Sequence, residues 1–230
     1  MSDKRKPLKG EFQIENVGKA LSRTELFIED NQNRLLAGLG IIVLVVAGFI
    51  GVRHFYSIPR EKKAQVALFP AEKYFAKDSL NLALNGDGLK CVGFLGVIDD
   101  YSGTDAANLA YAYAGLSFHQ LGKNEEAIKY LKKFSGGDDM IAPAVLSAIG
   151  DCYSDLENFE EAVTYFEKAA KKADNNIVSP ISLKKAGLAY EKLKNYDKAL
   201  QTYTTIKEKY ANSAEGVDMD KYIQKVKALK

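Results

Sequence analysis

The side chains that could support catalysis are few and scattered along the sequence. The two histidines, His54 and His119, are far apart, and neither has a nucleophile or a set of metal ligands at a recognisable spacing. The acidic pairs at 99–100 and 138–139 are neighbours in sequence, and such neighbours do not face each other on a helix. Solvated charge is therefore favoured over acid–base chemistry. These observations predict a non-enzymatic protein with no catalytic, cofactor-binding or metal-binding residues.

The segment Asn85–Gly88 and the two cysteines also favour structural interpretations. The segment lacks the alternating oxygen ligands of an EF-hand and the Gly-Lys-Ser/Thr of a P-loop, so a tight turn is favoured. Cys91 and Cys152 are expected in different helical hairpins, farther apart than the roughly 7 Å between Cα atoms that a disulfide permits. We expect two unpaired, largely buried thiols.

The balance of charge argues against a nucleic-acid-binding protein. The chain has 32 basic and 30 acidic residues and a formal net charge of +2. Proteins that bind nucleic acid usually carry a basic face or stripe, and the composition shows no such excess. With 47% hydrophobic and 27% charged residues, the chain has the composition of a globular protein.

One segment, Leu35–Val52, is apolar or glycine at all 18 positions and is bracketed by Arg34 and Arg53. At about 1.5 Å per residue, a helix of this length spans about 27 Å, close to the hydrocarbon thickness of a bilayer. A buried core helix is disfavoured because such helices are rarely apolar on every face. A cleaved signal peptide is disfavoured because 34 residues, six of them acidic, precede the segment. The sequence therefore predicts an uncleaved signal anchor that contacts membrane lipid.

The predicted anchor divides the chain into four parts. Residues 1–34 would form a cytoplasmic tail, 35–53 the transmembrane anchor, 54–62 a juxtamembrane linker and 63–230 a repeat domain. Basic residues are almost balanced on the two sides of the anchor, so the positive-inside rule gives little guidance. The general tendency of short N-terminal tails to stay cytoplasmic favours a cytoplasmic N terminus. An amphipathic helix over 15–33 would lie on the bilayer, dock on a partner or have no binding role.

Three segments of the C-terminal region repeat one pattern of small and large residues. Each has a glycine, an aromatic residue three positions later, an alanine twelve positions later and a large apolar residue sixteen positions later. The pattern resembles the tetratricopeptide repeat (TPR), a pair of antiparallel helices that cross closely at the small residues. The matching residues are Gly115, Phe118, Ala127 and Leu131; Gly150, Tyr153, Ala162 and Phe166; and Gly187, Tyr190, Ala199 and Tyr203.

These repeats predict an all-α domain of about four TPR-like hairpins stacked into a superhelix. A degenerate first hairpin would have helices over 63–84 and 89–101, and a solitary helix over 218–229 would cap the last hairpin. Because one hairpin buries only one side by itself, several must stack, which leaves a curved surface formed by the first helix of each unit. The expected protein-binding groove is lined by Ala112, Leu116, His119, Ser147, Asp151, Ser154, Lys184, Leu188 and Glu191.

An N-terminal anchor followed by about four such hairpins resembles the YfgM-like family of bacterial inner-membrane proteins. The segments 69–88 and 99–118 are also similar to anchored repeat proteins of the Bacteroidetes group. The resemblance implies a single-pass protein whose repeat domain is periplasmic. It also implies association with Sec translocon subunits, with periplasmic chaperones of the PpiD type and with unfolded chains.

Three functions of different kinds are compatible with the sequence. The leading hypothesis is an ancillary subunit of the Sec translocon that engages chaperones or emerging chains through its TPR groove. The second is an adaptor of an envelope machine, similar to TolA-binding or secretion-system proteins. The third is a TPR receptor that faces the cytosol.

Overall fold

The computed structural model describes residues 9–230, apart from the side chains of residues 9–24, Leu26 and Glu29. The chain divides into two compact units, with the boundary between Ile58 and Pro59. The expected apolar face of the tail helix includes Val17 and Leu21, whose side chains lie outside the described residues.

The first unit is built on one long helix, α1 (Lys9–Val52), followed by a π-helical turn at Arg53–Ser57. None of the residues from 35 to 52 is buried. This region contains an 18-residue window with a mean hydropathy of 2.8. By length and composition the helix can cross a membrane, although a signal sequence near the N terminus passes the same test.

The second unit is a series of helical hairpins in sequence order. Each second helix packs against its own first helix and against the first helix of the next hairpin. This arrangement confirms the predicted all-α stack of about four TPR-like hairpins with a capping helix. The helices are α2 (Ile58–Ala76), α3 (Leu80–Asn85), α4 (Gly93–Asp100), α5 (Asp105–Gln120), α6 (Asn124–Leu131), α7 (Ile141–Asp155), α8 (Phe159–Ala173), α9 (Val178–Lys192), α10 (Tyr196–Lys209), α11 (Ala214–Val217) and α12 (Met219–Leu229).

The repeated glycines lie where the two helices of each hairpin cross. A Cβ atom on Gly115 would come closer than 3.0 Å to the Leu131 side chain, and one on Gly150 would come equally close to the Phe166 ring. Both large residues are almost completely buried, at 1% and 2% exposure. Glycine followed sixteen positions later by a large side chain is therefore a steric pair, and the pair fixes the close approach of the helices.

A tight turn joins the helices of each of the three regular hairpins. The same repeat position has a positive φ in each turn, 73° at Gly122, 58° at Glu157 and 55° at Lys194. Glycine adopts this left-handed conformation without a steric penalty, whereas other residues lose roughly 1–2 kcal/mol. After Glu157 and after Lys194 the next residue is an asparagine, whose cap on the following helix offsets this cost. The side-chain oxygens of Asn158 and Asn195 each accept a backbone N–H hydrogen bond from that helix, at 3.3 and 3.2 Å.

The first hairpin differs from the prediction of a single helix over 63–84. The chain leaves the helix after Ala76, turns at Asp78, whose φ is 56°, and becomes helical again at Leu80. The break lies two residues after the aromatic pair 74–75, which packs against the core of this hairpin. Helical periodicity alone did not indicate it, because the apolar pattern continues across the break.

The second helix of the first hairpin also begins later than expected, at Gly93 instead of Leu89. The intervening loop is organised by Asp87, whose Oδ1 accepts the backbone N–H bonds of Leu89, Lys90 and Cys91, each at 2.9 Å. These bonds, the one from Cys91 foremost, hold the pKa of the Asp87 carboxyl well below its ordinary value. The acidic residue of the expected turn thus has a structural role.

Residues 54–62, expected as a linker, are helical throughout. The end of this segment is bonded to the hairpins, since Arg60 donates a side-chain hydrogen bond to the carbonyl of Asp100 at 3.1 Å. The Glu61 carboxylate accepts the backbone N–H bonds of Asp105 at 2.7 Å and Ala106 at 3.1 Å. Glu61 therefore caps the N terminus of α5 from more than 40 residues away in sequence.

Candidate functional site: the inner wall of first helices

The first helices of the three regular hairpins lie side by side, because α5 contacts α7 and α7 contacts α9. We call the surface that these three helices form the inner wall. All nine expected groove residues are on these helices. They lie three positions before, one position after or four positions after the repeat glycine.

Two of the nine residues contribute no surface to the inner wall. Ala112 is only 3% exposed and belongs to the core cluster between α5, α6 and α7. Ser147 is 8% exposed and lies 3.5 Å from the Lys185 ammonium. Both residues therefore pack between helices, whereas Lys184, at the same repeat position, is half-buried. Their burial leaves little side-chain surface for contact with a ligand.

Four other expected groove residues, two apolar and two polar, are partly accessible. Leu188 is 40% exposed, and Leu116 and Ser154 are half-buried. Lys184 is half-buried, and its ammonium lies 5.3 Å from the centroid of the Tyr222 ring. The wall therefore combines two leucines with a small polar group and a cationic group.

Asp151 is paired with a lysine of the next hairpin. The Lys185 ammonium lies 2.7 Å from its carboxylate, and both side chains are about one-third exposed. The lysine is two positions before its own repeat glycine and is not one of the nine expected groove residues. The signal that could have identified it is its place on the same helix face, one turn before Leu188. The pair links α7 to α9 and also places opposite charges on the wall.

Each carboxylate oxygen of Glu191 has its own bonding partner. One carboxylate oxygen accepts the Tyr203 hydroxyl at 2.7 Å and the other lies 2.5 Å from the Lys225 ammonium of α12. Burial foremost, and then this bond to Glu191, raises the pKa of the Tyr203 hydroxyl above its ordinary range. Glu191 thus joins the last hairpin to the capping helix, which limits its availability to a ligand.

His119 is held within its own hairpin and next to the following one. Its Nδ1 lies 2.9 Å from the Asn124 side-chain oxygen and 3.6 Å from the Asp155 carboxylate. Within the part of the chain that the structure describes, no group of three or more His, Cys, Asp or Glu side chains is placed to hold a metal ion. The inner wall offers contacts for binding, and its described residues form no arrangement for acid–base or nucleophilic chemistry.

Comparison with known proteins agrees with this architecture. The family model for the N-terminal TPR repeats region of Psidin matches residues 104–214. The nearly identical TPR-like repeats of a Podospora anserina kinesin light chain candidate superpose with a TM-score of 0.57 at 10% identity, covering 74% of this chain and 87% of that one. The second unit has the TPR fold. A variant of those repeats, in which methionine replaces one glutamine, superposes with a TM-score of 0.55 at 10% identity over the same shares of the two chains.

No curated protein matches the sequence. At 10% identity the structural likeness concerns the fold alone. TPR repeats suggest a protein-interaction scaffold and protein partners, and neither the family match nor the structural likeness indicates a catalytic family.

Proposed function

We propose that this protein is a membrane-tethered scaffold that binds other polypeptides on its inner wall. The supporting observation is the side-by-side placement of α5, α7 and α9, which brings the accessible Leu116, Ser154 and Leu188 onto one continuous surface. A polypeptide lying across these helices would bury the two leucines and meet the charged groups of Asp151 and Lys184. Burial of apolar side chains contributes roughly 25 cal/mol per Å².

The tether is the apolar segment Leu35–Val52, with residues 1–34 on the cytoplasmic side and the TPR domain, 63–230, in the periplasm of a bacterial cell. Residues 54–62 connect the anchor to this domain. Support for the anchor comes from the length and mean hydropathy of the apolar window and from the exposure of its side chains. Support for the orientation comes from the tendency of short N-terminal tails to remain cytoplasmic.

The resemblance to YfgM-like anchored repeat proteins of the Bacteroidetes type carries the proposal one step further. It points to an ancillary subunit of the Sec translocon whose inner wall engages a PpiD-type chaperone or emerging unfolded chains. The near-neutral net charge of the chain is consistent with protein partners.

Site-specific photo-crosslinking in intact cells tests this function. A photoreactive residue at Leu188 on the inner wall should crosslink to Sec subunits, to a periplasmic chaperone or to nascent chains. The matched control is Glu208, an exposed residue of α10, which is a second helix and not part of the wall. Equal crosslinking at both positions would contradict the inner wall as the binding surface. Crosslinks to outer-envelope proteins alone would contradict the translocon and favour an envelope adaptor.

A reporter fused after Lys230 tests the orientation. Alkaline phosphatase, which is active only after export, should be active there. Fluorescence of a cytosol-dependent reporter at the same position would contradict the periplasmic placement and, with it, the association with periplasmic chaperones.

A further inference from the structure

A cavity opens between α6, α7 and α8, apart from the inner wall. Its volume is about 350 Å³, at the lower end of the range typical of ligand sites. Most of its lining is apolar, and two lysines from different helices stand beside the apolar groups. The lining side chains include Leu131, Phe134, Val145, Leu146, Ile149, Tyr165, Lys132 and Lys172.

Six lysines lie in the C-terminal halves of α6 and α8, the second helices that border the cavity, or just after them. In the described part of the chain, none of these lysines is ion-paired with a carboxylate within 4.0 Å. The acidic residues of α6 and α8 lie mostly in the first turns, at the opposite ends of the helices. The exception, Glu167, accepts the Tyr190 hydroxyl at 2.6 Å. The six lysines are Lys129, Lys132, Lys133, Lys168, Lys171 and Lys172. Two of them, Lys132 and Lys172, line the cavity and form its basic rim.

Lys132 is held in place at the edge of the cavity. Its ammonium donates to the Tyr153 hydroxyl at 2.8 Å and lies 5.3 and 5.5 Å from the ring centroids of Tyr153 and Tyr165. The bond to Tyr153 foremost raises the pKa of Lys132, so the group stays cationic at physiological pH. A positioned cation loses little side-chain entropy when it meets an anion, which favours binding.

The carboxylate of Asp138, which is close in sequence to the cavity lining, is hydrogen-bonded to the backbone. Asp138 caps the start of α7, where its Oδ1 accepts the backbone N–H bonds of Met140 at 2.9 Å and of Ile141. These bonds, the one from Met140 foremost, hold the pKa of the Asp138 carboxyl below its ordinary value. Of the described side chains that line the cavity, two are cationic and none is anionic, so the cavity presents an apolar floor and a net positive rim.

The next repeat supplies a natural comparison. A cavity of about 320 Å³ lies at the equivalent place between α8, α9 and α10. Glu167 lines this second cavity at the repeat position, seventeen residues after the glycine, that Lys132 occupies in the first cavity. Thr202 occupies the repeat position of Tyr165. The second cavity is thus lined by one carboxylate, of Glu167, and one ammonium, of Lys198, whereas two lysines and no described carboxylate line the first.

We propose that the cavity between α6, α7 and α8 is a second protein-binding site, which accepts a bulky apolar side chain flanked by carboxylates in a partner polypeptide. The apolar floor takes the hydrophobic side chain, and the lysines of the rim meet the acidic groups. Single-stranded nucleic acid fits less well, because stacking on bases needs free aromatic faces. The rings of Tyr153 and Tyr165 are stacked on each other at a centroid distance of 5.5 Å.

The test uses the full chain in detergent micelles and a fluorescent peptide, Glu-Asp-Leu-Phe-Glu-Asp, with binding followed by anisotropy. Peptides with alanine at the two apolar positions, or with lysine and arginine at the acidic ones, should bind about tenfold more weakly or not at all. Lys172→Glu at the rim should weaken binding of the acidic peptide about tenfold. Leu146→Trp should also weaken it, because the larger side chain occupies the cavity.

Two control variants distinguish this cavity from the other surfaces of the TPR domain. Glu167→Gln, in the equivalent cavity of the next repeat, should leave the affinity unchanged, and Leu188→Ala should do the same because it alters only the inner wall. No binding of the acidic peptide, or binding that neither Lys172→Glu nor Leu146→Trp weakens, would overturn the proposal. So would binding of single-stranded DNA that depends on Lys172 when the peptide does not bind. Far-UV circular dichroism establishes that each variant retains its helical content.

Discussion

The buried hydroxyls and thiols of the TPR domain are coupled to its packing. Tyr190 and Tyr203 are 6% and 0% exposed, and their hydroxyls donate to Glu167 and Glu191. Burial foremost, and then these carboxylates, raises the pKa of both phenols. Burial also raises the pKa of the Cys152 thiol to about 12. All three groups therefore remain protonated in the folded protein at pH values where they ionise in water.

From this coupling we expect the TPR domain to lose stability at alkaline pH. The ordinary pKa values are 9.0 for cysteine and 10.0 for tyrosine, so above about pH 9 the unfolded chain releases protons that the folded chain retains. The unfolded state then binds fewer protons, and the free energy of unfolding falls as pH rises. Thermal unfolding in detergent from pH 7 to 11 measures the decline. The double change Tyr190→Phe and Tyr203→Phe should make the decline shallower, and an unchanged slope would show that these two phenols are not its source.

At the level of the helix, α8 and α10 are capped locally, whereas α5 combines a local cap with a cap from a residue distant in sequence. Asn158 and Asn195 lie next to the N–H groups that they cap. The start of α5 has a local cap in Thr104, whose hydroxyl oxygen accepts the Ala107 N–H at 3.1 Å. Glu61 supplies the two further acceptors, and its negative charge is also favourable at a helix N terminus.

Replacing Glu61 by alanine should destabilise the start of α5 by about 0.5–2 kcal/mol, the range found for loss of a helix cap. Hydrogen exchange at the Asp105 and Ala106 amides should accelerate, because their acceptors are removed. Lys62→Ala, an exposed change on the same helix, serves as the control and should alter neither amide. Equal exchange rates in the parent chain and the Glu61→Ala variant would show that water replaces the carboxylate without cost.

Across the whole molecule, the stacked hairpins leave an apolar end that must be covered. The capping helix α12 covers it with Met219, Ile223 and Val226, all of which are buried in one cluster with Tyr203 and Ile206. The cluster includes no residue of α5, so the effect of α12 should decline with distance along the stack.

Ile223→Ala should lower the free energy of unfolding by about 2–4 kcal/mol, because it leaves a cavity in this cluster. Hydrogen exchange should accelerate in α10 far more than in α5, if stability passes only between neighbouring hairpins. Gln224→Ala, an exposed change on the same helix, should have little effect. A uniform acceleration across all hairpins would instead indicate one cooperative unit.

The sequence predicted those features that depend on contacts within one repeat. Gly150 and Phe166 recur at fixed spacing because one helix crossing imposes both, so the hairpins and the fold were predictable. The burial of Ala112 and Ser147 depends on how closely the next hairpin approaches, which the spacing within a repeat does not record. The Glu61 cap connects residues distant in sequence, and Lys132 and Lys172 line one cavity although they are also distant in sequence. No local pattern indicates such neighbours.

Among the described helices, the main contacts between hairpins connect each hairpin with the next, and this has a mechanical consequence. Tension applied through the C terminus would act first on α12 and then on the last hairpin, while earlier hairpins keep their contacts. Each release requires only the rupture of one interface, so the load would dissipate in successive small steps and not in a single collapse. A stack of this kind would therefore unfold under load one hairpin at a time.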